Sequence, residues 1–295
     1  MKRSILILMT CVVVTAPIRG GDDEIAKRAI AYVQRLRTKD GGFLVQLPKP
    51  GATTPSLRAT TSALRVVRYY GGEIKDKDAC AKFVASCYDP ATGAFSDSPG
   101  GKPGVFETAV GLMAIVELKM PMEKYADGAT RYLAENAKSF EDIRIAAAGF
   151  EAIKKKPATH DKWLEEVRKL ANADGSFGKG PGMARDTGGS VVTILRLGGK
   201  AADPDACLKI LNAGQRATGG WGKAGDTTAS DLETTYRVMR CYHMLKARPA
   251  NVAGLRDFIA RCRNADGGYG VAPGQPSNVS GTYFASIILH WLKEK

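Results

Sequence analysis

At 295 residues and 44% hydrophobic composition, the chain can form one large core or a closed repeat architecture, and its six cysteines are too few for a small disulfide scaffold. Its 43 lysines and arginines against 30 acids give a formal charge of +13, which favours anionic partners. No basic run of five residues occurs, so nucleic acid is not expected among those partners, and beyond the N-terminus no apolar stretch is long enough for a transmembrane segment.

Residues 1–21 read as a signal peptide: Lys2 and Arg3 precede an apolar run from Ile5 to Val14, and small residues and Pro17 follow. A secreted or periplasmic location is therefore expected, with the folded domain over residues 22–295. Losing Lys2, Arg3 and Arg19 with no acid lowers the charge from +13 to +10. Five cysteines then remain (Cys80, Cys87, Cys207, Cys241 and Cys262), an odd set without paired spacing. They read as small core residues, with one bridge in an oxidising compartment as the alternative.

The remainder is repetitive. Phe43, Phe95, Phe177, Trp221 and Tyr269 each follow a glycine by one or two residues, and a degenerate sixth unit is centred on Phe140. Successive aromatics are 52, 45, 37, 44 and 48 residues apart, a loosely kept single period. An amphipathic helix is predicted before each aromatic: "DKWLEEVRKLANA" puts Trp163, Leu164, Val167, Leu170 and Ala171 on one stripe, and "NVAGLRDFIARCRNA" does so with Leu255, Phe258, Ile259 and Cys262. After each aromatic comes a Gly/Pro-rich loop and a drier, smaller-grained helix, as in "ATTSALRVVRYY", "ETAVGLMAIVEL" and "GTYFASIILHWL". Two-helix units with one buried partner must stack. Six of them suit a closed ring, with the drier helices inside; an open solenoid is the alternative. The expected fold is all-α, an α/α toroid, in which the glycines permit a tight exit from each outer helix and the aromatics seal the seams.

The stretch Gln215-x-x-x-Gly219-x-Trp221, with the repeated Asp-Gly-Gly-aromatic before a Thr/Ser/Ala-rich helix, resembles the repeats of protein prenyltransferase β-subunits and squalene/terpene cyclases. The resemblance runs from about Asp22 to Lys295. It implies six inner helices around an apolar cavity that holds an isoprenoid chain.

The same resemblance implies a zinc site made by an Asp-x-Cys pair opening one late inner helix and a His, followed by Thr, on the next, a donor set that would activate an acceptor thiol. Here Asp231 stands where the aspartate would, but two residues on is Glu233, and the residue before Thr282 is Gly281. Asp78-Ala79-Cys80 and Asp205-Ala206-Cys207 fall at the starts of outer helices, where Asp reads as a cap. The cyclases' Asp-x-Asp-Asp acid, which must stay neutral in an apolar site, has no counterpart closer than "DPDA" at Asp203, and the Cys-Gly-Glu-Gln thioester signature is missing. His160 reads as a residue of a polar outer turn. His243 and His290, late in the last two inner helices, could meet Cys241 at the cavity floor, but read as packed residues.

Inner-helix N-termini should converge on one rim, where their N–H groups favour anions. Arg58, Lys102, Lys179, Arg185 and Lys223, with Lys49, would add charge there, beside the acids Glu107, Asp186, Asp231 and Glu233. The expectation is an exported toroid that binds an isoprenoid, another apolar ligand or an acidic peptide in or over its cavity, without a cofactor and without intact family catalytic motifs. One alternative is an isoprenoid (prenyl) transferase with a metal site, zinc included, remodelled around Asp231 and Glu233. A scaffold for a partner protein is another, and a two-carboxylate glycosidase is a third.

Overall fold

A computed structural model describes residues 20–47, 54–223 and 229–294. Its twelve α-helices alternate between two concentric layers. The outer ones are α1 (Gly20–Gln34), α3 (Lys77–Ser86), α5 (Ala126–Asn136), α7 (His160–Arg168), α9 (Pro204–Ala213) and α11 (Val252–Arg261). The inner ones are α2 (Leu57–Tyr69), α4 (Val105–Leu118), α6 (Phe140–Ile153), α8 (Met183–Arg196), α10 (Leu232–Met244) and α12 (Val279–Trp291). Each inner helix packs on the next, and α12 packs back on α2, so the ring closes. The backbone closes with it: the Val279 amide donates to the Val45 carbonyl at 2.8 Å, as Leu57 donates to Asp97 and Leu232 to Val271 at two other joints, both at 2.7 Å.

The small-grained composition of the inner helices explains how they fit between neighbours. Every residue from Thr108 to Ile115 in α4 is buried. A side chain on Gly149 of α6 would press on Ala109 of α4, so glycine sets the close approach of these two helices. The outer helices bury one face only, as their amphipathic pattern predicts. The α7 stripe is shorter than expected, because the helix ends at Arg168 and Leu170 is 52% exposed.

The glycine-aromatic motif is a two-part joint. Gly219 has φ +94°, and a side chain there would collide with the backbone of Gly254 and Leu255 in α11, the outer helix of the next unit. Gly267, at φ +90°, abuts Arg28 of α1 in the same manner, and so carries the seam that joins the last unit to the first. Each following glycine faces an aromatic ring of that next outer helix: Gly220 meets Phe258 and Gly268 meets Tyr32. The aromatic is then held from the inner side. The amides of Phe43, Phe95, Phe177, Trp221 and Tyr269 donate to the hydroxyls of Thr60, Thr108, Thr187, Thr235 and Thr282 at 3.0–3.1 Å, and all five threonines are fully buried.

The Phe140 unit departs from this plan. Phe140 is the first residue of α6, which follows α5 after three residues and starts with a Ser139–Asp142 capping box. This unit therefore has no loop between its aromatic and its inner helix. All five cysteines among the described residues are free and buried. Burial pushes the Cys87 and Cys262 thiols up to about 12.

Candidate ligand cavity

The inner ring encloses a cavity of about 730 Å³ to which all six inner helices contribute. Its wall is asymmetric. On the α4–α6 side Phe106, Val110, Met113, Val116, Ile145 and Ala148 descend from mouth to floor, at the spacing that keeps one face of a helix toward the lumen. Across from them α2, α10 and α12 present Arg58, Ser62, Arg65, Arg68, Tyr236, Arg237 and Tyr283.

The sequence predicts an apolar lining, so this concentration of charge is a correction. Its arrangement is ordered. Glu117 of α4 forms ion pairs with two arginines of α2, its carboxylate lying 3.4 Å from Arg65 Nε and 3.0 Å from Arg68 Nε. Burial raises the Glu117 carboxyl above the usual carboxylate range, against the pull of Arg68 and Arg65. Glu141 of α6 pairs with Arg144 at 2.8 Å and with Arg237 of α10 at 2.9 Å, and so reaches past the intervening α8. α8 itself carries Gly188, Gly189 and Ser190 in its middle and sends Arg196 to Glu151 of α6 at 2.9 Å. Burial and the neighbouring Arg240 lower the Arg196 guanidinium to about 10, with Glu151 opposing.

Beside the arginines lies an aromatic cluster. The Tyr236 and Tyr283 hydroxyls are 3.2 Å apart, Arg240 donates to Tyr236 Oη at 2.8 Å, and Arg65 donates to Tyr69 Oη at 3.1 Å. The Arg240 guanidinium lies over the rings of both Tyr236 and Trp291, 5.0 and 4.8 Å from their centroids. Burial would raise the Tyr236 phenol, but Arg240, Arg65 and Arg196 together hold it below the ordinary phenol range, while burial raises Tyr283. A second pocket of about 300 Å³ lies beyond this cluster, lined by Arg68, Tyr69, Arg240, His243, His290, Trp291 and Glu294.

The residues singled out from sequence are distributed unevenly. Arg58 and Glu233 line the cavity mouth. Arg58 is paired with Asp97 at 3.3 Å, and Lys223 reaches Glu233 at 3.8 Å. Lys102 and Lys179 are exposed and Arg185 is turned to Asp186 at 3.4 Å; none of the three lines the cavity. Lys49 lies outside the described residues, as does the stretch expected to be a signal peptide, up to Arg19. His160 is buried at the start of α7 rather than on a polar turn, and burial, with Lys156 nearby, lowers its imidazole. His243 and His290 both contact Glu294, at 3.2 Å, whereas Cys241 faces Cys207 of α9, Sγ to Sγ 3.8 Å.

The zinc set of the resemblance does not fit these residues. Asp231 caps α10 with both oxygens, accepting from the Thr234 amide at 2.8 Å and the Thr234 hydroxyl at 2.9 Å. Glu233 is engaged by Arg237 at 3.1 Å, and the Cys262 thiol, though near enough to Asp231 to feel its charge, is buried and pushed up mainly by that burial. No group of three or more His, Cys, Asp or Glu suited to a metal occurs among the described residues.

Sequence reading missed Arg65, Arg144, Arg196, Arg237, Arg240, Glu117, Tyr236 and Tyr283. The signal was available: charge at helical three-, four- and seven-residue spacing on helices too dry to face solvent, as in Arg58, Arg65 and Arg68 or Glu233 and Arg237, must face a lumen.

The sequence matches the prenyltransferase alpha-alpha toroid domain over residues 60–135 and 143–295. The chain belongs to that family. Among solved structures, the type II terpene cyclase MstE from Scytonema superposes on the toroid with a TM-score of 0.62 at 12% identity, over 94% of this chain and 98% of its own. A variant of that cyclase with its substrate geranylgeranyl dihydroxybenzoate gives 0.59 at 12%, over 92% and 96%. A glycosidase variant with glucose bound gives 0.59 at 13%, over 92% and 96%. These likenesses show the toroid fold alone. Comparison with curated proteins finds no match.

Proposed function

We propose that this toroid is an exported binding protein that holds an isoprenoid-like or other apolar chain in its central cavity. One observation carries the reading: a lumen of about 730 Å³ inside a closed ring, in which α4 and α6 present Phe106, Val110, Met113, Val116, Ile145 and Ala148 between the charged Glu117, Arg144 and Glu151. That volume is in the range of small-molecule sites, and an apolar wall facing a few placed polar groups is their common composition. The match to a prenyltransferase toroid domain, and a neighbour whose substrate carries a geranylgeranyl group, support the isoprenoid class. Lys2, Arg3 and the apolar run that follows support export.

A transferase with a metal at Asp231 and Glu233 has less support, since a metal there would compete with the α10 cap and with Arg237.

Titration of the purified chain with farnesol, followed by calorimetry, tests the proposal. One farnesol per chain is expected. Ala148→Phe, which fills the lumen, should weaken binding by about tenfold or more while leaving the thermal transition in place. Binding unaffected by Ala148→Phe, or no binding of any isoprenoid alcohol, would contradict the cavity reading.

A further inference from the structure

We infer that Cys207 and Cys241 are the pair of thiols that becomes a disulfide when this chain folds in an oxidising compartment. The bond ties the outer helix of the fifth unit to its inner helix, and Cys80, Cys87 and Cys262 stay reduced. The inference rests on the export reading for its surroundings and on the fold for its choice of partners.

Cys207 lies in α9 and Cys241 in α10, and both are buried. Their sulfurs are 3.8 Å apart, and no other two cysteine sulfurs among the described residues are in contact. The approach is fixed from several sides. The Tyr242 hydroxyl, one residue after Cys241, donates to Asn212 Oδ1 of α9 at 2.7 Å. Trp221 Nε1 donates to the Leu211 carbonyl, one turn after Cys207, at 2.8 Å, and its ring packs on Tyr242 with centroids 6.0 Å apart. Behind the pair stands Gly188 of α8, where a side-chain carbon would lie 3.6 Å from Cys241 Cβ and from Leu211. The two helices are thus held at one register with their thiols face to face. Bond formation needs the sulfurs to close to about 2.05 Å, by side-chain rotation and a small approach of the helices.

The oxidant is a disulfide, carried by a small molecule or by another protein. One cysteine thiolate attacks it, forming a mixed disulfide and releasing a thiolate; the second cysteine then attacks the mixed disulfide and releases the other. The two protein thiols lose two electrons and two protons, and the oxidant leaves as two thiols. Because both sulfurs are buried in the closed ring, the exchange belongs to folding, and Cys207 and Cys241 are consecutive cysteines that meet within one hairpin. The remaining three have no such partner. Cys80 Sγ is turned to the Lys75 carbonyl at 4.0 Å, and burial pushes the Cys87 and Cys262 thiols up to about 12, which keeps them protonated and inert. A bond between positions 34 residues apart closes enough chain to restrict the unfolded state and so raise stability.

The test refolds the reduced, denatured full chain in a buffer rich in glutathione disulfide and, in parallel, with a reductant. After alkylation in denaturant, peptide mapping of the oxidised product should recover two peptides joined at Cys207 and Cys241, with Cys80, Cys87 and Cys262 alkylated. The oxidised chain should melt about 5–10 °C above the reduced one. Cys207→Ala and Cys241→Ala should each abolish that gap, and Cys80→Ala should keep it. The gap is measured between the two forms of one variant, so a loss of stability from truncating a buried thiol does not enter it. A folded product of oxidative refolding in which Cys207 and Cys241 are alkylated, or one bridged through another cysteine, would overturn the inference. A linked form that melts below the reduced chain would overturn it too, since its bond would be made against the fold. Free thiols at both positions in protein recovered from its own host, with the bridge formed on refolding, would contradict export and leave the pairing in place.

Discussion

Thr60, Thr108, Thr187, Thr235 and Thr282 perform one task at five places: each supplies the acceptor for the amide of a buried aromatic. At that depth water cannot substitute. Thr235→Val, similar in shape, should leave the Trp221 amide unpaired and cost about 1–3 kcal/mol in urea denaturation. Thr193→Val, whose hydroxyl only bonds back to Gly189 O at 2.8 Å, should cost clearly less; equal losses would mean the clamp adds nothing beyond packing. The threonines were visible in the sequence as a compositional bias, but their pairing was not. The aromatic-to-threonine separation varies with loop length, from Phe177–Thr187 to Phe43–Thr60, so no fixed spacing marks it.

Among the elements, the alternation of half-wet and dry helices was legible because its cause is local: an outer helix has one neighbour layer and an inner helix has several. The glycines were legible as turns, and their second role was not. A glycine that leaves room for the next unit's backbone depends on a contact between chain segments far apart, as with Gly267 and Arg28. The Phe140 unit shows the reverse: counting aromatics assigned it a loop, whereas Ser139 and Asp142 start a helix there at once. Gly267→Ala adds a side chain 2.6 Å from the Arg28 carbonyl oxygen on the seam that closes the ring. Gly274→Ala meets no atom within 4 Å, although its φ of +77° is also left-handed. Both substitutions should strain the backbone by about 1 kcal/mol, and Gly267→Ala should lose at least as much again from the displaced seam. Equal urea midpoints for the two variants would contradict a packed closure at Arg28.

For the whole molecule, closure determines what the charges mean. In an open solenoid Arg65, Arg196 and Arg237 would be solvated residues on a concave face. In a ring they surround a lumen, where Glu117, Glu141 and Glu151 offset part of their charge and a surplus is left around Tyr236. The sequence reading singled out rim charges, because helix N-termini and loop lysines can be recognised one residue at a time. The deep cluster requires the relative rotation of three inner helices, which periodicity alone does not supply. Native mass spectrometry of the chain recovered from its own host measures the outcome most directly. One noncovalent adduct per chain is expected, released on denaturation as an apolar chain and depleted in Ala148→Phe. A bare polypeptide mass, or a bound metal in place of a lipid, would contradict the account.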